Sequence, residues 1–68
     1  MAHEITLNGK PEIVEDGATV AQLLVAKGVN PGRVAVELNR RIIRREEFES
    51  TRLNAGDVLE VVTFVGGG

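Results

Sequence analysis

Cysteine, tryptophan and tyrosine are missing from this chain of 68 residues, and histidine occurs once. Without cysteine the chain forms no disulfide and no thiolate metal site. The single histidine, His3, excludes a cluster of histidine ligands and a conventional pair of a nucleophile with a histidine base. We expect His3 to be a partly exposed residue without a functional role, and the chain to bind no metal or cofactor of its own.

Long hydrophobic runs and a strong charge of either sign are also missing. No apolar run approaches the roughly 20 residues that cross a bilayer, and no secretory signal pattern opens the sequence. The net charge of −2 favours neither nucleic acid nor an acidic membrane surface. We therefore expect one small cytoplasmic domain that binds neither nucleic acid nor membranes.

The first third of the chain predicts a β-hairpin. Ile5 and Leu7 alternate with polar residues, as in a half-buried strand. Asn8-Gly9 is typical of a tight hairpin turn, although the residues that follow leave open whether the loop is longer. A second short strand is predicted over 12–15, and either of its two apolar residues can face inward.

A short helix of about nine residues follows, beginning at Thr19. Thr19 and Gln22 have the spacing of a capping box, in which each side chain satisfies a free backbone donor. Gly28 suits the left-handed position after a helix, and Pro31 prevents continuation. The residues at helical spacing on one side, which we expect to pack on a sheet, are Val20, Leu23, Leu24 and Lys27.

The remaining elements complete a single sheet. They are a third strand over 34–38, a turn at Asn39-Arg40, a short fourth strand at Ile42-Ile43, one helical turn over 45–48 anchored by Phe48, a turn at 55–57 after Leu53, and a last strand over 58–65. This order predicts an α+β protein with the β-grasp (ubiquitin-like) fold. Four to five strands would form a mixed sheet, with the first and last strands central and one helix packed on one face. The alternative is another small α+β sandwich with the same elements.

The last strand carries more apolar residues than one face can bury. Leu59 and Val61 share one face, and Val62 and Phe64 share the other. Because one helix covers only one face of the sheet, an outward pair of apolar residues indicates a partner-docking surface, together with Val65. The alternatives are isolated surface hydrophobes, which are common, and a bulged strand.

The sequence closes on three glycines, Gly66, Gly67 and Gly68. Chain without side chains can enter a narrow channel that a Cβ would block. We predict a domain over 1–65 followed by a flexible tail over 66–68, whose working group is the α-carboxylate of Gly68. That group is ionised at neutral pH, and it becomes an electrophile only when another molecule activates it. The sequence leaves open whether Gly68 is the native end.

Four arginines form a basic cluster in this mildly acidic chain: Arg40, Arg41, Arg44 and Arg45. Positive charge at a strand edge discourages edge-to-edge pairing, so a solvated edge is the expected explanation. A contact with a partner is the alternative. No aromatic residues lie between these arginines, so nucleic-acid binding gains little support.

The ordered motifs resemble those of the thiamine-pathway sulfur-carrier proteins over essentially the whole chain. The matching segments are Asn8-Gly9, Thr19-Val20-Ala21-Gln22-Leu23-Leu24, Val34-Ala35-Val36-Glu37-Leu38-Asn39, Arg44-Arg45-Glu46, Gly56-Asp57 and the terminal Gly67-Gly68. The sequence departs from the family pattern at Ile43, where the family often has proline, and at the additional Gly66.

The resemblance implies a carrier that is a protein co-substrate and not an enzyme. An ATP-dependent activating enzyme, using ATP-Mg, would adenylate the Gly68 carboxylate. A persulfide on a sulfur donor such as a cysteine desulfurase would then convert it to a thiocarboxylate. Thiazole synthase would accept the sulfur as it forms the thiazole ring of thiamine. The free carrier is expected to be a monomer.

Other functions remain open from the residues alone. The same chemistry could serve another acceptor, such as the molybdopterin pathway or thiolation of transfer RNA. A ubiquitin-like modifier would instead transfer the activated glycine to a lysine amine. A β-grasp interaction module with an inert tail belongs to a different class, because terminal disorder is common.

Overall fold

A computed structural model describes residues 1–64, which form one five-stranded sheet with a single α-helix. In chain order the elements are β1 (Ala2–Leu7), β2 (Lys10–Glu15), α1 (Val20–Ala26), β3 (Val34–Leu38), β4 (Arg41–Ile43) and β5 (Val58–Thr63). Short 3-10 turns at Pro31–Arg33 and Arg45–Glu47 precede β3 and follow β4. Val65 and the predicted tail, Gly66, Gly67 and Gly68, lie outside the described residues.

The strand order across the sheet is β2-β1-β5-β3-β4. β5 pairs in parallel with β1 and antiparallel with β3, so the first and last strands are both interior, as the sequence predicted. A mixed sheet in this order with one helix on one face confirms the predicted β-grasp fold.

The first hairpin turn contains only two residues. Asn8 and Gly9 have φ angles of 51° and 82°, the positive values that this tight turn requires. Lys10 and Pro11 belong to β2 and do not lengthen the loop. In the second strand Val14 is buried and Ile13 is exposed, which settles the choice that the sequence left open.

The predicted capping box is present, but the helix begins one residue later than predicted, at Val20, and is slightly shorter than expected. Thr19 and Gln22 form the capping box, with the Gln22 backbone N–H donating to Thr19 Oγ1 at 3.2 Å and the Thr19 N–H donating to Gln22 Oε1 at 2.9 Å. The helix ends at Ala26 after seven residues. Lys27 lies at the surface, where its Nζ is 2.9 Å from Glu12 Oε1 on β2. Gly28 takes a φ of 72° immediately afterwards.

The core lies between α1 and the face of the sheet that it covers. Its buried residues are Ile5, Val14, Val20, Leu23, Leu24, Val34, Val36, Phe48, Leu53 and Leu59. Phe48 follows the second 3-10 turn and is buried, which confirms its predicted anchoring position. Burying a side chain of this kind contributes roughly 1.5–3 kcal/mol, and so small a domain depends on nearly all of them.

Among the described residues, the last strand ends at Thr63, and Phe64 lies beyond it; the predicted end at Val65 lies outside the described residues. Thr63 lies opposite Val34, the first residue of β3. The Phe64 N–H still donates to the carbonyl oxygen of Arg33 at 2.8 Å. This bond continues the antiparallel pattern for one residue into the 3-10 turn.

The Asn39 side chain connects the second hairpin turn to the start of β5. Asn39 and Arg40 have φ angles of 53° and 70°. Asn39 Oδ1 accepts from the Val58 N–H at 2.9 Å, and its Nδ2 donates to Asp57 Oδ1 at 3.1 Å. The turn therefore fixes the point at which β5 enters the sheet.

The Asn8 side chain holds the second half of β5 in the sheet through hydrogen bonds of the same kind. The parallel pairing of β1 with β5 covers only two residue pairs. Beyond it, the Val61 N–H donates to Asn8 Oδ1 at 2.8 Å, and Asn8 Nδ2 donates to the Val61 carbonyl oxygen at 3.2 Å. The Asn8 side-chain amide thus makes the two hydrogen bonds to β5 that the backbone of a further β1 residue would otherwise make.

We predict that Asn8→Ala lowers the free energy of unfolding by about 2 kcal/mol, because it removes both side-chain hydrogen bonds and because alanine tolerates a positive φ less well than asparagine. Glycine adopts the positive φ of the turn readily, so Asn8→Gly should lower the free energy of unfolding by only about 1 kcal/mol. Urea unfolding measures both values. Equal stability of the wild type and Asn8→Gly would show that the hydrogen bonds to Val61 contribute nothing.

Candidate docking face and C-terminal tail

The outward end of β5 carries two of the predicted docking residues. The side chains of Val62 and Phe64 are 60% and 58% exposed. Leu59 and Val61, which alternate with them, are fully and partly buried against the core. The predicted division of the last strand into a helix-facing side and an outward side is therefore observed, while the docking role itself remains a prediction. Val65 lies outside the described residues.

The outward face contains more apolar surface than the sequence indicated. Val58, at the start of β5, is 44% exposed, and Ile42 on β4 is 71% exposed. Ile42 lies opposite Glu37 of β3, which in turn lies opposite Glu60 of β5, so these residues share one face. The two consecutive isoleucines at positions 42 and 43 could have indicated this additional apolar surface, since a strand directs neighbouring side chains to opposite faces. We call Ile42, Val58, Val62 and Phe64 the docking face.

The predicted sulfur-carrying end, Gly67 and Gly68 with Gly66 before them, lies outside the described residues. Phe64, the last described residue, is four residues from Gly68 along the chain. Four extended residues reach at most about 14 Å. The docking face and the Gly68 carboxylate are therefore close enough for one partner enzyme to contact both.

The basic cluster lies at the β4 edge of the sheet, beside Ile42 of the docking face. Arg40 and Arg41 are exposed at the β4 hairpin, and β4 is an edge strand. The Arg44 N–H donates to Glu47 Oε1 at 2.9 Å, and Arg45 Nη2 lies 3.5 Å from the Gly32 carbonyl oxygen. This placement at an exposed edge fits the expected solvated strand edge.

Titratable groups form no catalytic or metal-binding constellation within residues 1–64. His3 Nε2 lies 2.9 Å from the Leu53 carbonyl oxygen, a contact that ties β1 to the loop before β5. No group of three or more potential metal ligands occurs in this part of the chain. Of the helices that it contains, none is long and apolar enough to cross a membrane.

Comparison with known proteins gives the same family as the sequence motifs. The sequence model of the ThiS family matches residues 1–68. The chain is 38% identical to the sulfur carrier protein ThiS of Bacillus subtilis over 65 residues, which is 94% of this chain and 98% of that protein. It is 42% identical over 65 residues to a thiazole synthase of Magnetococcus marinus, covering 96% of this chain. The chain spans only 20% of the length of that synthase.

A solved structure supports the fold at the same level of similarity. The crystal structure of the thiamine biosynthesis protein ThiS from Geobacter metallireducens superposes with a TM-score of 0.76 and 42% identity. The match covers 96% of this chain and 99% of that one. The predicted family is confirmed: the chain belongs to the ThiS family, the sulfur carrier proteins of thiamine biosynthesis.

Proposed function

We propose that this chain carries sulfur as a thiocarboxylate on Gly68 and delivers it to thiazole synthase. The observation that carries the proposal is the match of the ThiS family over residues 1–68, which includes the closing glycines. On this proposal residues 1–65 form the domain that partners recognise, and residues 66–68 form the flexible tail that enters their active sites. The chain acts as a co-substrate in the cytoplasm, and catalysis belongs to its partners.

The first step activates the carboxylate. A carboxylate oxygen of Gly68 attacks the α-phosphorus of ATP, bound with Mg²⁺ by an activating enzyme, and pyrophosphate leaves. The product is a mixed anhydride between Gly68 and AMP. This step is required because a carboxylate is a poor electrophile, whereas an acyl adenylate has a good leaving group.

The second step replaces oxygen by sulfur. The terminal sulfur of a persulfide, held on a cysteine of a donor such as a desulfurase, attacks the Gly68 carbonyl carbon and AMP leaves. The resulting acyl disulfide is reduced by a second thiol, which forms a disulfide with the donor cysteine and releases the thiocarboxylate. The carrier has no cysteine, so it offers no competing thiol of its own.

A thiazole synthase as the acceptor is supported by the protein from Magnetococcus marinus. A segment similar to nearly all of this chain occupies about a fifth of that protein, which is named for thiazole synthesis. Carrier-like and synthase segments therefore share one polypeptide there. In this chain, we propose that the docking face contacts the synthase.

Docking also provides the free energy to order the tail. Fixing each backbone residue costs about 1–2 kcal/mol, so ordering three glycines requires several kcal/mol. Burying the exposed surface of Val62 and Phe64 against a partner supplies a comparable amount, because full burial of such side chains contributes roughly 1.5–3 kcal/mol each. The free chain is proposed to be a monomer with this surface open.

We predict that deletion of Gly68 abolishes sulfur loading, because the new terminus is one residue short of the reacting position. Wild type and variant are incubated with activating enzyme, ATP-Mg, a cysteine desulfurase and cysteine, and then analysed by intact-mass spectrometry. The wild type should gain the mass difference between one sulfur and one oxygen atom in its C-terminal peptide, and the variant should gain nothing. Both should unfold at the same urea concentration.

Full loading of the truncated chain would show that the Gly68 assignment is wrong. Incubation of the wild type with cell extract and ATP tests the competing modifier function. Conjugates of increasing mass would indicate transfer to lysine, whereas their absence together with a loaded C-terminus supports the sulfur carrier.

We also predict that Phe64→Ala weakens binding to thiazole synthase at least tenfold while changing the melting temperature little, because the side chain is largely exposed in the free protein. Ile13→Ala is the matched control, since Ile13 is a 63% exposed residue of β2, outside the docking face. Isothermal titration calorimetry and thermal unfolding provide the two readouts. Unchanged binding with a large loss of stability would assign Phe64 to the core.

A further inference from the structure

Two glutamates lie directly opposite each other within the docking face. Glu37 of β3 pairs with Glu60 of β5. The Phe64 N–H donates to the Arg33 carbonyl oxygen, so residues 33 and 64 form a hydrogen-bonded pair. Such pairs recur at every second position of an antiparallel ladder, so Glu37 and Glu60 form another one, with Cα atoms about 5.5 Å apart. Both side chains are exposed on the face opposite to α1.

The register of the core holds Glu37 and Glu60 opposite each other. Val36 lies opposite Val61, and Leu38 lies opposite Leu59, so a shift of β3 by one residue would expose the core side chains. Like charges directly opposite in a sheet are destabilising.

Neither carboxylate has a cationic partner within residues 1–64. The one ion pair of that part of the chain joins Lys27 to Glu12. Arg40 lines the same shallow depression as Glu37 and Glu60, but its guanidinium is not within 4.0 Å of either carboxylate. Neither carboxylate therefore forms a direct ion pair in this part of the chain.

Apolar side chains surround this pair. Val58 and Val62 lie on either side of Glu60 along β5, and Ile42 lies opposite Glu37 on β4. A partner that covers these apolar side chains also removes water from both carboxylates. Desolvating a carboxylate without a counter-charge is costly. Arg40 is a single cation beside two carboxylates, so a cation supplied by the partner would balance the charge at this position.

We propose that thiazole synthase inserts an arginine or lysine side chain between Glu37 and Glu60 when it covers the docking face. This inference rests on the proposed function. A guanidinium is the better fit, because its planar fork can donate to two carboxylates at once. The pair would then supply specificity, since a partner without the cation would have to bury two unpaired charges.

The test uses Glu37→Gln, Glu60→Gln and the double variant in the full chain. Glu49→Gln is the control, because it removes one negative charge from an exposed residue beside Ala21 and Val25 of α1, on the other side of the molecule. Each chain is titrated with purified thiazole synthase by calorimetry at two salt concentrations. Thermal unfolding of each free chain is measured in parallel.

We expect each single variant at the pair to bind roughly 10-fold more weakly and the double variant roughly 100-fold more weakly. Their binding should depend less on salt than that of the wild type. The melting temperatures should stay the same or rise by up to about 5 °C, because repulsion is relieved. Glu49→Gln should bind within about twofold of the wild type.

Binding of the Glu37 and Glu60 variants as tight as that of the wild type would overturn the inference. An equal loss in Glu49→Gln would also overturn it, because net charge would then be the cause. The mass assay on the same variants separates the two proposals. Loading of the Gly68 carboxylate in all chains would support the carrier function whatever the binding result. Absence of loading in the wild type would contradict the carrier function itself.

Discussion

The pairing of β5 on both sides is the constraint on which the rest of the structure depends. β5 lies between β1 and β3 in the middle of the sheet, and Leu59 is completely buried beneath α1. Because side chains alternate along a strand, burial of Leu59 also determines that Glu60 and Val62 face outward. In the sequence this strand precedes the closing glycines. Core packing therefore determines which side chains are exposed on the strand next to them.

One helix is enough to bury only one face of a sheet of this size. The free domain therefore keeps Val62, Phe64 and Ile42 exposed, although a chain of 68 residues has few apolar residues to spare. On the proposed function, in which partner enzymes bind the carrier in turn, this exposure has a physical use. Burial of the docking face would then offset the entropy lost when the tail enters an active site.

Local signals in the sequence predicted most of the fold. Asn8-Gly9 and Asn39-Arg40 predicted turns, and Thr19 with Gln22 predicted the start of the helix, because each depends only on residues close together in the chain. The order of strands and the β-grasp arrangement followed from these elements. The outward position of Val62 and Phe64 followed from alternation along β5.

Features that depend on distant pairing could not be predicted. Ile13 and Val14 are both apolar, so only the pairing of β2 with β1 and the position of α1 determine that Val14 is buried. The end of β5 at Thr63 depends on where β3 begins. The opposition of Glu37 and Glu60 requires the register between two strands that are far apart in the sequence.

The thiazole synthase of Magnetococcus marinus offers a useful contrast. There, a segment similar to this chain belongs to the same polypeptide as the rest of the synthase, and a covalent link raises the effective concentration of one part near the other. Non-covalent contacts between a carrier and a synthase can serve the same purpose. On our account the docking face, with its two carboxylates, provides them.

Nuclear magnetic resonance titration of the isotope-labelled chain with unlabelled thiazole synthase tests this account most directly. The account predicts that the largest changes in backbone amide signals occur at residues 58–64 of β5 and at the adjoining outward residues of β3 and β4. Changes centred on α1, with β5 unaffected, would contradict it.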